Sequence, residues 1–141
     1  MARIAFILLC HKDPDGVIAQ ALRLTAAGDY VAIHFDARAS SRDYDLIRKA
    51  LAQNPSVAFA ARRWKCGWGE WSLVAATLDA VRAAVAAFPR ATHFYMLSGD
   101  CMPIKTAEHA HAFLDAQDCD YIESLDFHSS DWIKTGFKEE R

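Results

Sequence analysis

No C-x-x-C pair joins any of the four cysteines, Cys10, Cys66, Cys101 and Cys119, and without one the usual spacing of a structural zinc site is missing. Reduced thiols acting as small core residues are the simpler expectation, since disulfides belong mainly to oxidising compartments. No apolar run approaches the roughly 20 residues that a membrane-spanning helix needs. The longest runs, such as Ile4 to Cys10, are short, and this one stops at His11-Lys12-Asp13-Pro14 with no small-residue cleavage site. It therefore reads as the buried first strand of a cytoplasmic protein rather than a leader. Excess positive charge is also missing: 16 Lys and Arg stand against 18 Asp and Glu, net charge −2, with no basic tract. A reader of nucleic-acid backbones is thereby disfavoured. No G-x-G-x-x-G follows the first strand, and neither G-x-x-x-x-G-K-[ST] nor G-x-S-x-G occurs. A dinucleotide-binding Rossmann domain, a P-loop and a serine-hydrolase elbow are all disfavoured.

What is present is a chain of 141 residues, 52% hydrophobic and 24% charged, which suits a single domain over residues 1–141 with a real core. Short apolar runs alternate with amphipathic stretches. Strands are expected at Ile4–Cys10, Tyr30–Phe35, Val57–Ala61, His93–Leu97 and Asp120–Leu125. Helices are expected at Asp15–Ala26, Tyr44–Gln53, from about Trp71 to Phe88, and from Thr106 or Ala107 to Ala116. Asp13 and Pro14 suit the start of the first helix, and Gly28 its end. Its inward positions read as Val17, Ala21, Leu22 and Leu24. In the long helix Trp71, Val74, Ala75, Leu78, Val81, Val85 and Phe88 recur at three or four residues and predict the buried stripe. This order predicts an α/β fold, a doubly wound, mostly parallel sheet with helices on both faces.

Such sheets bind ligands beyond the carboxyl ends of their strands, so four segments become candidates: His11–Asp15, Asp36–Arg42, Arg62–Glu70 and Ser98–Lys105. Asp36 shares a side of its strand with His34. It suits hydrogen bonds from ribose hydroxyls or a uracil N–H, and equally a turn cap above Arg38 or Arg42. Gly99 would let the backbone approach a ligand. Asp100 suits a sugar or a diphosphate-linked metal, or a plain turn before Met102-Pro103. Trp64 and Trp68 are expected as exposed indoles beside Gly67 and Gly69, with faces that suit nucleobases and sugars, and Trp71 as a core anchor beneath them. Asp-x-Asp occurs only as Asp13-Pro14-Asp15, Asp43-Tyr44-Asp45 and Asp118-Cys119-Asp120. The first two open helices and the third enters a strand from its amino end, so no metal site is expected.

Four segments in order, His11-Lys12-Asp13-Pro14, Ile33-His34-Phe35-Asp36, Trp68-Gly69-Glu70-Trp71-Ser72-Leu73-Val74 and Leu97-Ser98-Gly99-Asp100-Cys101-Met102-Pro103-Ile104-Lys105, resemble the core-2/I-branching β-1,6-N-acetylglucosaminyltransferase family, which includes peptide O-xylosyltransferases. The resemblance runs from about Ile4 to Arg141. It implies a GT-A-like, Rossmann-like fold and an inverting, metal-independent transfer of a sugar such as GlcNAc or xylose from a UDP-sugar, with no cofactor. The acceptor would be a glycan or other hydroxyl, including a lipid-linked one at a membrane surface, in a bacterial-type cytoplasmic enzyme. By the same resemblance His11, Lys12, Asp13, Asp36, Trp68, Gly69, Ser98, Gly99 and Asp100 would bind the donor, and Glu123, Lys138 and Arg141 the acceptor.

Direct displacement needs a carboxylate to take the acceptor proton and positive charge for the departing diphosphate. In the family both lie further along the chain than Arg141. Glu123 or Asp126 would have to serve as base here, and the expectation is an amino-terminal donor-binding portion with weak or absent transfer. A non-catalytic module that binds nucleotide-sugar or glycan is the second reading. A flavodoxin-like regulatory domain is a third, opposed by Arg62-Arg63 after the third strand.

Overall fold

The computed structural model describes residues 1–117, 119 and 120. The expected fifth strand from residue 121 on, and with it Glu123, Lys138 and Arg141, lies outside the described residues. The elements are β1 (Ile4–Cys10), α1 (Pro14–Ala26), β2 (Tyr30–Phe35), α2 (Ser41–Leu51), β3 (Val57–Phe59), α3 (Trp71–Ala87), β4 (His93–Ser98) and α4 (Ala107–Asp115). The four strands form one all-parallel sheet in the order β3-β2-β1-β4. β1 is central because both its faces are apolar, and it alone pairs with two long neighbours.

Its alternate residues feed two cores. Leu8 and Cys10 pack with Val31, Ile33 and Phe35 of β2 against Val17, Ala21 and Leu24 of α1 and Ile47 and Leu51 of α2. Ala5 and Ile7 pack with Ala32, Ala60, Phe88 and α3 on the opposite face. Local signals set the helix starts. The Asp13 carboxylate accepts from Gly16 N at 3.1 Å, with Pro14 as the first helical residue. Ser40 accepts from Asp43 N at 3.2 Å, and Thr106 from His109 N at 3.2 Å.

Three expectations need correction. Leu22 is exposed, while Val17, Ala21 and Leu24 are buried as expected. β3 is shorter than Val57–Ala61, because Ala60 leaves the strand, although its N–H still reaches Ile33 O at 2.8 Å. The buried stripe of α3 is Ala76, Ala80 and Ala84, with Ala75 beside it, whereas Trp71 is 70% exposed and Val74, Leu78 and Val85 are also exposed. Only Ala75 and Phe88 of the expected stripe are buried. Small residues face small residues here, Ala80 and Ala84 against Ala5, Ala32 and Ala60. Close packing of helix on sheet therefore selects the alanines over larger apolar side chains. Trp71 opens the first turn of α3, ahead of that alanine contact.

At the amino ends of the strands, Asp29 is 2% exposed and accepts from Ile4 N at 2.9 Å. Both its oxygens lie 2.9 Å from His111 Nε2 of α4. Because a carboxylate only accepts, Nε2 carries the proton. This pair ties α4 to the start of β1 and to the turn before β2. Among the described residues, no helix is long and apolar enough to cross a membrane.

Candidate functional site at the carboxyl ends of the strands

β1, β2 and β4 end side by side, with Cys10 opposite Phe35 and Leu9 opposite Ser98. A cleft of about 460 Å³ opens above them. Its lining includes His11, His34, Asp36, Cys66, Ser98 and Cys101. The cleft thus gathers the ends of three strands and the segment that follows β3, as the rule for open α/β sheets requires.

That segment is moored to β2 by main-chain and side-chain bonds. Trp64 N donates to His34 Nε2 at 2.9 Å, and Ala37 N donates to Trp64 O at 2.9 Å. Asp36 Oδ1 accepts from Arg38 N at 2.7 Å and from Cys66 N at 3.4 Å. Asp36 therefore caps the turn before Arg38, as one of its two expected roles required, and also lines the cleft. Arg63 donates to the carbonyls of Phe35, Asp36 and Ala39 and stacks on Tyr44. Arg62 lies over the Trp64 ring at 3.8 Å. Both guanidiniums are thus engaged in building the segment.

The two loop tryptophans separate. Trp64, expected exposed, is half-buried, and its indole N–H donates to Asp79 of α3 at 2.6 Å. That bond, with help from Arg82, holds the Asp79 carboxyl below its usual pKa. Trp68 is 99% exposed at the loop tip. Gly69 follows at φ 72°, a conformation that favours glycine. Ser72 then closes the turn, with its Oγ accepting from Gly67 N at 2.9 Å and lying 3.3 Å from Glu70 Oε2. No side chain caps the N-terminus of α3, and Leu73 of its first turn lines the cleft.

Of the residues expected to bind donor, His11, Asp36 and Ser98 line the cleft. Lys12 and Asp100 form an exposed ion pair of 3.2 Å that bridges the β1 and β4 ends. Asp13 is occupied as the cap of α1. Gly99 is not in the cleft lining, and it has a packing role: a Cβ there would come within 3.0 Å of Cys10 Cβ and 3.5 Å of Val17. Trp68 and Gly69 are outside the cleft lining.

The family model described as Core-2/I-Branching enzyme matches residues 4–138. The chain belongs to this family. A comparison with curated proteins finds no match. Core-2/I-branching enzymes are glycosyltransferases, so a sugar donor and an acceptor are the partners implied for this chain.

Three cysteines also line the branching-enzyme cleft, contrary to the expectation of four core thiols. Only Cys10 is buried, and burial pushes its thiol up to about 12. Cys66 is pushed up to about 11, first by burial and then by Asp36. Cys101 is exposed, and hydrogen bonds from Ser98 Oγ and Ser98 N, at 3.3 and 3.4 Å, lower its pKa. His34 lines the cleft as well, although the resemblance did not assign it to the donor. Its place at the end of β2, on the same side as Asp36, was the available signal.

Proposed function

We propose that this chain is the donor-binding portion of an inverting, metal-independent glycosyltransferase of GT-A type. It would carry a sugar such as GlcNAc or xylose from a UDP-sugar to a glycan or other hydroxyl acceptor. The observation that carries the reading is the family match over residues 4–138 together with a cleft lined by His11, His34, Asp36 and Ser98. Asp36 is a carboxylate acceptor at the end of a second strand, where a uridine N–H or ribose hydroxyl would find it. Lys12 at the lip and the uncapped, positively polarised start of α3 favour the diphosphate. Side chains rather than a cation would then stabilise the leaving UDP. Among the described residues no group of three or more His, Cys, Asp or Glu is placed to hold a metal ion. Free thiols along the cleft suit a reducing, cytoplasmic setting.

Asp36 is the one carboxylate in the lining among the described residues, and its Oδ1 already accepts from two main-chain N–H groups. It is built to hold, and the acceptor proton needs another base, with Glu123 assigned that part and Lys138 and Arg141 the acceptor. The same observation favours the second reading, a nucleotide-sugar binding module without turnover. Thermal unfolding with UDP, UDP-GlcNAc and UDP-xylose, with and without EDTA, tests the donor. At about 100 times its dissociation constant the true ligand adds roughly 2.7 kcal/mol, and EDTA leaves that gain unchanged. No stabilisation by any of the three would overturn the donor reading. Binding without release of UDP in the presence of acceptors would select the module.

A further inference from the structure

His34 is 1% exposed, yet it belongs to the cleft lining. Its Nε2 accepts the Trp64 N–H, so the ring proton of this tautomer sits on Nδ1. Trp64 has two further ties, Ala37 N to its carbonyl and its indole N–H to Asp79. Two residues on, Cys66 N reaches Asp36. The path of the loop from Arg62 to Gly67 beside the cleft is thus set at Trp64. We propose that His34 is a positioning residue, whose neutral imidazole moors the main chain at Trp64 and so sets the cleft wall for the nucleotide end of the donor. A protonated ring would present a second donor to the Trp64 N–H, and the mooring would be lost.

The charged groups facing His34 are Asp36 just past the end of its own strand, Asp79 on α3 and Arg63 on the loop after β3, with the Cys10 thiol donating to its carbonyl. Burial lowers the His34 pKa from 6.5 and outweighs the opposing pull of Asp36 and Asp79. Folding therefore favours the neutral ring. The stabilisation it brings is whole above pH 6.5 and is lost as the pH falls through the lower folded value.

The test uses the full chain, NMR titration of the His34 ring and the Trp64 amide without ligand, and calorimetric binding of UDP-GlcNAc, whose diphosphate does not titrate in this range. In the wild type the Trp64 amide shifts with the same midpoint as the His34 ring. UDP-GlcNAc affinity falls with that midpoint. His34→Gln keeps an acceptor that cannot be protonated, so it restores most of the affinity and abolishes the acid step. His34→Leu leaves the amide unpaired and weakens binding on the order of tenfold at pH 7.5. Where the leucine variant does not fold, the wild-type titration and the glutamine variant decide alone. The proposal is overturned if the ring protonates without moving the Trp64 amide, if His34→Gln keeps the acid step, or if a folded His34→Leu binds like the wild type. The nucleotide arm rests on the donor reading of the cleft. If ring and amide titrate together while no protein binds UDP-GlcNAc, that reading falls and the mooring stands.

Discussion

His111 at the amino-terminal end of the sheet and His34 at its carboxyl-terminal end are both buried beside a carboxylate, and they act in opposite senses. His111 donates to both oxygens of Asp29, whose carboxylate also takes the Ile4 N–H. That end is closed, with side chains satisfying one another and joining elements far apart in the chain. His34 accepts from main chain, and the neighbouring Asp36 also accepts from main chain. Here the polar groups shape a loop and leave a cleft above it. One parallel sheet therefore uses the same residue types as a fastening at one end and as the frame of an opening at the other.

The comparison breaks most readily at Asp29. Asp29→Ala strands a buried amide and a buried imidazole and is expected to cost about 3 kcal/mol in urea unfolding, with nucleotide affinity of the folded fraction unchanged. A cost below about 1 kcal/mol would mean that the amino end is not held by this pair. Ala80→Leu, on the tight α3 face, is expected to cost about 2 kcal/mol through overpacking, whereas the same change at exposed Val85 leaves the melting temperature close to the wild type. Asp36→Ala moves to the open end: about 1 kcal/mol of stability and on the order of tenfold in UDP affinity, because two loop amides lose their acceptor. Trp68→Ala is the smallest structural change, within about 0.5 kcal/mol in stability. If the indole stacks on the donor, affinity falls about fivefold by calorimetry; unchanged affinity would remove Trp68 from the binding surface.

Much of this frame was legible in the residues. Ile4–Cys10 and Tyr30–Phe35 were read with the bounds they have, because continuous apolar runs between turn residues leave little choice. The Asp13-Pro14 start and the strand-end rule then led to His11, Asp36 and Ser98, which do meet. The face of α3 was not legible. Periodicity counts alanine, valine and tryptophan alike as apolar, and only the distance between helix and sheet decides among them. Asp29 and His111 are 82 residues apart, so no local pattern joins them. Gly99 carried the signal of a close approach, but the partner is Cys10. For His34, position implied the cleft, whereas the bond to Trp64 needed the path of the loop.

The contact beneath Gly99 reaches beyond packing. With no side chain at Gly99, the turn after β4 lies against Cys10 at the end of β1, where a Cβ would already crowd it. Lys12 and Asp100 consequently ride on one shared lip, and their ion pair spans a seam that is already shut. An anion that draws Lys12 away would therefore leave Asp100 without its partner while the backbone beneath both stays where it is.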